Sequence, residues 1–520
     1  MIAAMTEPLY DARTFWELVS RRAAVAPDHP MLIDTADRTV TFGEFAKWAE
    51  RVAAGFAALG VREGTTVSWQ LPTRIETVVA SMALSRLGAV QNPIIHIYRE
   101  REVRYVLQDS GAELFLVPGE WRGFDYCAMA ERIVADLDRP VQVLEAYDTL
   151  PEGDPSTLPR PPAPPSGGNA PIRWLYYTSG TTANPKGVRH TDETLIAGAV
   201  GLAVALDMSP DDVGSMAFPF AHIAGPDYLG TMLILGFPAV VLEAFVPTDA
   251  VEAYSKHNVT MAGGSTAFYT AFLTEQRKQP ETKIIPSLRL LSGGGAPKPP
   301  ELFFEVQREI GVPVAHGYGM TECPMISQGS PHDTDEQLAN SDGAPVRGCE
   351  IKIALPDESA AKANAEGEVR VRGPMVCKGY TDPALIPTAF DDAGYFRTGD
   401  LGYLRDDGHI VLTGRIKDII IRKGENIAAK DIEDLLYQHP KVAEVAVIGL
   451  PDRERGERVC AVVQTAADFE PLTFVELQQY CRDSGMMTQK IPEQLEFVDV
   501  MPRNATLKIL KYELRDRFAT

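Results

Sequence analysis

A short polar segment between a predicted strand and a predicted helix constrains this chain more than any other feature. Residues 172–177 read IRWLYY, which is apolar and typical of a strand, and residues 195–206 have the pattern of a helix. The segment between them contains Thr178, Ser179, Gly180, Thr181, Thr182 and Lys186. Loop N–H groups and hydroxyls donate hydrogen bonds to anionic oxygens, and a lysine offsets negative charge. The order strand, loop, helix therefore predicts a site for an anion such as a polyphosphate.

The spacing differs from that of the P-loop, which requires Gly-Lys followed by Ser or Thr. Here Pro185 precedes Lys186 and Gly187 follows it. A Ser/Thr/Gly cluster without other support is usually an ordinary polar surface loop. Motifs elsewhere in the chain decide between an anion site and a plain loop.

Further motifs with chemical meaning follow along the chain. They are S-G-G-G-A-P at 292–297, H-G-Y-G-M-T-E at 316–322, G-Y-F-R-T-G-D at 394–400, T-G-R-I-K-D at 413–418, K-G-E-N-I at 423–427 and P-R-N-A-T-L-K at 502–508. Glycines after a strand let a flat ligand lie against bare backbone, and Tyr318 between two glycines can present its ring face. The carboxylate of Glu322 suits Mg²⁺, and that of Asp400 accepts two hydrogen bonds well. Taken singly, most of these motifs are also typical of plain turns or solvated charges.

Together, and in this order, the motifs resemble those of the adenylate-forming (AMP-binding) enzymes, in the acyl-CoA synthetase branch. The resemblance covers nearly the whole chain. Two positions differ from the usual family form: Ala183 stands where a glycine follows the Thr-Thr pair, and Leu507 stands where a glycine precedes the last lysine. The first change should stiffen the loop slightly, and the second changes the backbone beside Lys508.

The resemblance implies a role for each motif. It implies catalytic roles for Lys508, Glu322, Thr178 and His222, and Glu322 would hold the magnesium ion. The implied nucleotide and cofactor contacts are Thr178, Ser179, Gly180, Thr181, Thr182, Lys186, Gly294, Gly295, Ala296, Pro297, His316, Gly317, Tyr318, Gly319, Thr321, Asp400, Arg415, Lys417, Gly424 and Glu425. The implied lining of the acyl pocket is Phe220, His222, Gly225, Asp227, Gly264, Phe268, Cys323 and Met325.

The order of predicted elements indicates an α/β fold. Helices at 41–59, 75–87 and 102–110 alternate with strands at 66–71, 88–95 and 112–117, which is typical of parallel sheets with helices on their faces. By the resemblance, residues 1–414 form a large N-terminal domain of packed sheets with flanking helices. Residues 415–417 would form a hinge, and residues 418–520 a small mobile α+β C-terminal domain. The small domain is predicted to contain helices at 429–437 and 472–483 and strands at 442–449, 459–464 and 494–498.

Composition disfavours several classes of protein. The 520 residues carry a formal net charge of −21, which repels nucleic acids and anionic membranes. No apolar run approaches the roughly 20 residues that span a bilayer, so we expect no stable membrane insertion. The six cysteines lack C-x-x-C spacing, which indicates neither a zinc site nor a disulfide framework, and the N-terminus does not read as a signal peptide. These features favour a cytoplasmic protein, and they leave open whether it is a monomer or a homodimer.

The resemblance implies an AMP-forming acid–thiol ligase that uses ATP, Mg²⁺ and coenzyme A. It would convert a small-molecule carboxylic acid to acyl-AMP with release of pyrophosphate, and then to acyl-CoA with release of AMP. The chain also resembles bacterial medium-chain and cyclohexanecarboxylate–CoA ligases, and this resemblance implies a medium-chain fatty or alicyclic acid. Two alternatives stay open. One is a free-standing acyl-adenylating enzyme that loads a carrier-protein thiol, and the less favoured one is a non-catalytic nucleotide-binding regulator.

Overall fold

The computed structural model describes residues 7–166, 168–178, 185–422, 425–467, 469–503 and 508–519, with the backbone alone for Lys417, Glu425 and Asn426. Its helices are α1 (Phe15–Val25), α2 (Phe42–Ala58), α3 (Ile75–Leu87), α4 (Glu100–Ser110), α5 (Tyr126–Ala135), α6 (Asp192–Ala205), α7 (Ala224–Leu235), α8 (Pro247–Lys256), α9 (Thr266–Lys278), α10 (Pro300–Glu309), α11 (Asp335–Asn340), α12 (Ile386–Ala389), α13 (Ala429–Tyr437), α14 (Phe474–Asp483) and α15 (Lys511–Phe518).

The strands of the first half of the chain are β1 (Pro30–Asp34), β2 (Thr39–Thr41), β3 (Thr66–Trp69), β4 (Val90–Pro93), β5 (Leu114–Val117), β6 (Glu120–Trp121), β7 (Phe124–Asp125), β8 (Gln142–Glu145), β9 (Trp174–Thr178), β10 (Lys186–His190), β11 (Gly214–Met216), β12 (Ala239–Val241) and β13 (Met261–Gly264). Those of the second half are β14 (Leu290–Gly294), β15 (Val314–Met320), β16 (Cys323–Gln328), β17 (Ala344–Pro345), β18 (Glu350–Ala354), β19 (Gly367–Arg372), β20 (Phe396–Leu404), β21 (Ile410–Arg415), β22 (Ile420–Arg422), β23 (Glu425–Ile427), β24 (Val442–Asp452), β25 (Gly456–Thr465) and β26 (Gln494–Phe497).

Local sequence explains where the predicted helices begin and end. The hydroxyl of Thr41 accepts a hydrogen bond from the backbone N–H of Glu44 at 3.2 Å, and the Glu44 carboxylate accepts one from the N–H of Thr41 at 2.9 Å. This reciprocal pair forms a capping box and fixes the start of α2. Helix α3 has the predicted bounds and ends at Gly88, which adopts the left-handed conformation typical of a helix C-terminus.

The predicted alternation produces a mostly parallel sheet with the strand order β10-β9-β4-β3-β5-β8. Strands β8, β5, β3, β4 and β9 run parallel, and β10 returns antiparallel to β9 at the edge. The helix predicted at 195–206 is present as α6, but the sequence did not predict strand β10, which lies between the polar loop and this helix. Strand β10 has five residues between Pro185 and the helix cap Thr191, which is too short for a clear alternation.

Three further sheets and the hairpin of β6 and β7 complete the described part of the large N-terminal domain. Strands β13, β14 and β15 are parallel and continue into antiparallel β16 and β17. A second sheet has the order β11-β12-β1-β2, and a wholly antiparallel one has the order β18-β19-β20-β21. The larger hydrophobic core of this domain extends from Leu9 to Ile410, and a second cluster forms around Phe115 and Tyr126. The fold class is confirmed as α/β, although the sequence alternation did not predict the antiparallel fourth sheet.

A smaller domain follows, with its own sheet of order β23-β22-β25-β24 and β26 beside β25. Two separate hydrophobic clusters pack against this sheet. One lies around Ile432 and Leu436 of α13, and the other lies around Leu514 of α15. Helix α13 has the predicted bounds, and β24, β25, α14 and β26 lie where the sequence placed them. Among the described residues, no helix combines the length and apolar composition needed to cross a bilayer.

Candidate active site

The polar loop is closed by a β-hairpin. Strand β9 ends at Thr178, which pairs with Lys186, the first residue of β10. The predicted residues Ser179, Gly180, Thr181 and Thr182 lie outside the described residues. The two ends of the loop are therefore fixed by main-chain pairing, and Lys186 lies beside Thr178 although eight positions separate them in the numbering.

A second segment holds β10 in place through its backbone. The N–H of Thr381 donates to the carbonyl of Gly187 at 2.7 Å, and the N–H of Arg189 donates to the carbonyl of Gly379 at 2.9 Å. A Cβ atom at Gly187 would lie 2.5 Å from the hydroxyl oxygen of Thr381. Glycine is therefore required here for close approach, and this approach brings Tyr380 to the site.

Lys186, Tyr380 and Glu322 form one cluster. The hydroxyl of Tyr380 donates to the carboxylate of Glu322 at 2.9 Å, and the ammonium of Lys186 lies 5.6 Å from the centre of the Tyr380 ring. Glu322 is only 7% exposed. Burial raises the pKa of its carboxyl, while the hydrogen bond from Tyr380 and the charge of Lys186 lower it in part. Lys186 is the lysine whose charge acts on this buried carboxylate among the described residues, and a further cation would stabilise its ionised form.

His190 holds the backbone next to Glu322. Its ring is fully buried, and burial lowers its pKa to about 4, so the imidazole is neutral. Its Nε2 lies 2.7 Å from the carbonyl oxygen of Thr321, which is an acceptor, so the ring proton lies on Nε2. The hydrogen bond ties the turn between β15 and β16, where Thr321 and Glu322 lie, to the hairpin strand β10.

Tyr318, Asp400 and Arg415 form a second cluster. The hydroxyl of Tyr318 donates to one carboxylate oxygen of Asp400 at 2.6 Å, and Nε of Arg415 lies 2.9 Å from the other oxygen. Asp400 and Arg415 are cross-strand partners in β20 and β21. Tyr318 lies in β15 and Glu322 in the turn that directly follows this strand, so the two clusters are joined through β15.

Glycine strands form the wall beside Tyr318. Gly294 in β14 pairs with Gly317 in β15, and a Cβ atom at Gly294 would lie 2.5 Å from the carbonyl oxygen of Gly317. After β14, the carbonyl of Ala296 contacts Nε2 of His316 at 2.9 Å. Gly295 and Pro297 complete this loop, and Gly319 follows Tyr318 in β15. These positions place glycine backbone beside Tyr318, and the binding of a flat ligand there stays a prediction.

His222 lies two residues before α7, on the side of the site that this helix forms. It is half-buried, and burial lowers its pKa to about 4. Its Nδ1 accepts a hydrogen bond from the N–H of Ala224 at 3.3 Å, which leaves the ring proton on Nε2. His222 and Thr321 line one cleft together with Tyr98 and Tyr176. Phe220 and Gly225 flank His222 in the chain, and Phe220 is fully buried.

The other predicted pocket residues surround α9 and β16. The Phe268 ring lies 4.1 Å from that of Phe245, and the side chain of Phe268 would contact any Cβ added at Gly264. Cys323 is buried at the start of β16, where its Sγ lies 3.7 Å from the carbonyl oxygen of Met325. These residues give this side of the site an apolar character.

Asp227 differs from its neighbours because it is a buried acid in an apolar setting. It is 4% exposed, and within the described part of the chain its Oδ1 has no hydrogen-bond partner. A Cβ atom at Gly198 of α6 would lie 2.3 Å from that oxygen, so the carboxyl faces α6. Burial raises the pKa of Asp227 to about 8.

The small domain supplies the remaining predicted residues. Lys417 lies in the short 3₁₀ turn Ile416–Asp418, and Glu425 begins β23, while Gly424 lies outside the described residues. Lys508 is half-buried just before Ile509, which forms a β-bridge with Arg503. It therefore belongs to the part of the small domain that is packed around α15.

Sequence reasoning missed Tyr380, His190 and Asp109. Asp109 accepts hydrogen bonds from Tyr177 at 2.7 Å and Thr381 at 2.8 Å, and so links α4, β9 and the segment after β19. Tyr380 and Asp109 lie in no recognisable motif, and His190 lies four positions after Lys186 but was given no role. Tyr380 is 58 positions from Glu322, and only the folded pairing of β10 joins the two.

Comparison with known proteins gives a consistent result. The AMP-binding enzyme family matches residues 19–381, and the AMP-binding enzyme C-terminal domain family matches residues 431–508. The chain is 33% identical over 502 residues to 2-succinylbenzoate–CoA ligase of Bacillus subtilis, covering 95% of this chain and 96% of that protein. It is 28% identical over 510 residues to medium-chain fatty-acid–CoA ligase of Escherichia coli, covering 96% of this chain and 89% of that protein.

Among solved structures, ATP-bound MatB from Rhodopseudomonas palustris superposes with a TM-score of 0.86 at 26% identity. The superposition covers 96% of this chain and 98% of that one. The likeness therefore extends over both domains described above.

Proposed function

Because the chain belongs to the AMP-binding enzyme family, we propose that it is an ATP-dependent carboxylic acid–CoA ligase acting on a medium-chain fatty or alicyclic acid. In the first step a carboxylate oxygen attacks the α-phosphorus of ATP, and pyrophosphate leaves. In the second step the thiolate of CoA attacks the acyl carbonyl of the acyl-AMP, and AMP leaves. The observation that carries this proposal is that β15 joins two polar clusters, since Tyr318 of this strand donates to Asp400 and Glu322 in the turn after the strand accepts from Tyr380.

The Asp400 cluster suits the nucleoside part of ATP. Each carboxylate oxygen of Asp400 has one protein partner and keeps a second lone pair for a ribose hydroxyl. The bare backbone of Gly294 and Gly317 leaves space for a flat base beside Tyr318. We assign base binding to Tyr318 and the loop of Gly294–Pro297, and ribose binding to Asp400 and Arg415.

Glu322 suits Mg²⁺. Burial raises the pKa of Glu322 because the ionised carboxylate is poorly solvated there. A bound cation would therefore stabilise the ionised form more strongly at this position than at the surface. Mg²⁺ is usually bound by one or two carboxylates together with waters and substrate phosphates. Glu322 would therefore hold the ion together with the phosphates of ATP, and among the described residues no group of three or more potential ligands is present. When bound, Mg²⁺ would offset the charge that develops on the phosphates.

The lysines and the neutral histidine have separate roles in this scheme. Lys186 lies where it can offset charge on the phosphates bound by the loop that begins at Thr178. We propose that Lys508 reaches the same centre for adenylation. His222 is neutral and lies in the cleft with Thr321, so it can orient the acyl carbonyl or the thiol without adding charge.

The division into domains is part of the proposal. We assign residues 1–414 to the large domain, residues 415–417 to the hinge, and residues 418–520 to the small domain. The short 3₁₀ turn at Ile416–Asp418 connects β21 to β22 with few residues, as a hinge requires. Rotation here would withdraw Lys508 and bring the loop at residues 424–426 to the thiol.

The residues predicted to line the acyl pocket support an apolar acid as the substrate. Phe268, Phe245 and Met325 offer hydrocarbon surface, which favours an apolar acyl chain. Discrimination between related apolar acids amounts to only about 1–3 kcal/mol per methylene group. The substrate must therefore be identified by assay.

The decisive assay follows ATP consumption with acetate, octanoate, palmitate, benzoate, cyclohexanecarboxylate and an amino acid, each with and without CoA. We expect AMP and acyl-CoA, resolved by chromatography, only with CoA and only for octanoate or cyclohexanecarboxylate. Acid-dependent exchange of pyrophosphate into ATP without a CoA product would favour carrier loading. No acid-dependent turnover would favour the non-catalytic regulator.

A further inference from the structure

Asp109 is an acidic residue at an unfavourable end of a helix. It is the next-to-last residue of α4, whose last turn contains no basic residue. A negative charge in the last turn opposes the partial negative charge of the helix C-terminus. Asp109 is exposed, and the ion pairs that α4 makes within the described residues involve Glu100 and Arg104 instead. The stability of α4 itself therefore does not explain an acid at this position.

Both hydrogen bonds that Asp109 accepts end on the same oxygen atom. Its Oδ2 accepts one from the hydroxyl of Tyr177 at 2.7 Å and one from the hydroxyl of Thr381 at 2.8 Å. Tyr177 is 8% exposed and lies in β9, one residue before the end of the strand, where the polar loop begins. Thr381 directly follows Tyr380, whose hydroxyl donates to Glu322 at 2.9 Å. One carboxylate oxygen thus joins the start of the polar loop to the segment that contacts Glu322.

The surroundings of Gly187 show how closely these elements pack. Gly187 is the cross-strand partner of Tyr177, and a Cβ atom at Gly187 would lie 3.0 Å from the Tyr177 ring and 2.5 Å from the hydroxyl oxygen of Thr381. The N–H of Thr381 donates to the carbonyl of Gly187 at 2.7 Å. Thr381 is therefore bonded to β10 through its backbone and to α4 through its side chain. A shift of Thr381 would displace its neighbour Tyr380 and also the strand that begins with Lys186.

We propose that Asp109 is a positioning residue for adenylation, which keeps Lys186 and Glu322 at the separation that the phosphates and Mg²⁺ require. It acts through the hydroxyls of Tyr177 and Thr381. Local preferences of the sequence are often overridden where a functional site needs a residue, and an acid at the C-terminal end of α4 is such a case. A misplacement of about 1 Å remote from the reacting atoms can slow a reaction by about 10²-fold. This inference rests on the proposed adenylation chemistry.

The role of Asp109 predicts a difference between the two half-reactions. Lys186 and Glu322 are proposed to act on the phosphates and the metal ion during adenylation. Pyrophosphate has left before the thiol attacks, so the second step does not depend on the same alignment. Replacement of Asp109 should therefore slow formation of acyl-AMP and leave conversion of supplied acyl-AMP to acyl-CoA unchanged. A residue that served stability alone would affect both steps.

The test compares Asp109→Ala with Asp109→Asn and with Gln108→Ala, a change at the neighbouring exposed position. Acid-dependent exchange of pyrophosphate into ATP is measured over a range of Mg²⁺ concentrations, and thioester formation is measured from supplied acyl-AMP and CoA. We expect Asp109→Ala to slow the exchange about 10- to 100-fold and to raise the Mg²⁺ concentration for half-maximal rate, with thioester formation unchanged. An amide oxygen has two lone pairs and can accept both hydroxyls, so Asp109→Asn should retain most of the exchange rate. Gln108→Ala should behave as wild type.

Thr381→Val tests whether Asp109 acts through this hydroxyl. Valine keeps the branched shape of threonine and removes the donor, so adding Thr381→Val to Asp109→Ala should slow the exchange no further. Independent losses that multiply in the double variant would overturn the proposal. A wild-type exchange rate in Asp109→Ala would also overturn it, as would equal loss of both half-reactions with a lower melting temperature. If the wild type shows no acid-dependent exchange with any acid, the adenylation chemistry itself is wrong, and the role of Asp109 falls with it for a distinguishable reason.

Discussion

The buried carboxyl of Asp227 gives the sharpest quantitative prediction, through the substitution Asp227→Asn. Asp227 is 4% exposed, its Oδ1 has no hydrogen-bond partner among the described residues, and burial alone raises its pKa from 3.8 to about 8. The folded protein therefore keeps a proton on this group up to about pH 8, while the unfolded chain loses it near pH 4.

The sign and size of the effect follow from linkage. A raised pKa in the folded state means that the contribution to stability is complete below pH 4 and is lost as the pH rises toward 8. Between these limits the folded state holds one more proton, so the free energy of unfolding falls by about 1.4 kcal/mol per pH unit from this group. The loss accumulates to about 4 kcal/mol by pH 7. An asparagine does not titrate, so the variant lacks this slope, although its buried amide costs about 1–3 kcal/mol if unpaired.

The assay is chemical unfolding followed by tryptophan fluorescence at pH 5, 6, 7 and 8. All five tryptophans lie between positions 16 and 174, so the signal reports on the large domain. We expect the stability of Asp227→Asn relative to wild type to increase by about 1.4 kcal/mol per pH unit. Asp28→Asn, at an exposed position, serves as the control. Parallel profiles for wild type and Asp227→Asn would refute the reasoning, because Asp227 would then be ionised in the folded protein.

Three further predictions concern the proposed chemistry. Lys508→Ala should slow acyl-AMP formation about 10²- to 10³-fold in single-turnover assays with nucleotide affinity retained, and equal loss of both half-reactions would remove Lys508 from its role. Asp400→Asn should raise the Kd for ATP by about 10- to 100-fold in calorimetry, since a charge-assisted hydrogen bond contributes about 1.5–3 kcal/mol. Glu322→Gln should raise the Mg²⁺ concentration needed for half-maximal rate at least about tenfold. In the wild type this concentration should increase as the pH falls, because protonation of Glu322 competes with binding of the metal. An unchanged Mg²⁺ dependence in the variant would show that Glu322 is not the ligand.

Local signals in the sequence predicted much of the fold. The bounds of α3 and α13 agree with the prediction because apolar spacing is clear over a full helix and end signals such as Gly88 are present. Strands β5, β24 and β25 were also placed within a few residues. Strand β10 was missed because five residues of mixed character carry no local signal, and its edge position depends on pairing with β9.

The candidate site shows the same division between local and long-range information. Tyr318, Asp400 and Arg415 were identified from motifs, and they do form one cluster. The sequence could not identify Tyr380, because its contact with Glu322 depends on backbone pairing between β10 and residues 378–381. Asp227 was predicted to line the acyl pocket, and this stays a prediction; its carboxyl faces Gly198 of α6, a direction that the sequence could not indicate. Side-chain direction within a fully buried helix is not encoded in residue type.

The close approach of β10 to residues 378–381 has a consequence for how such a protein can diverge. The contact is made by main-chain hydrogen bonds and needs only a glycine at position 187, so substitutions elsewhere leave the position of Lys186 unchanged. The acyl side is instead assembled from side chains such as Phe268 and Met325, where each replacement alters the space available. Descendants of this chain could therefore acquire new acids through a few point substitutions, while the part proposed to handle ATP is inherited intact.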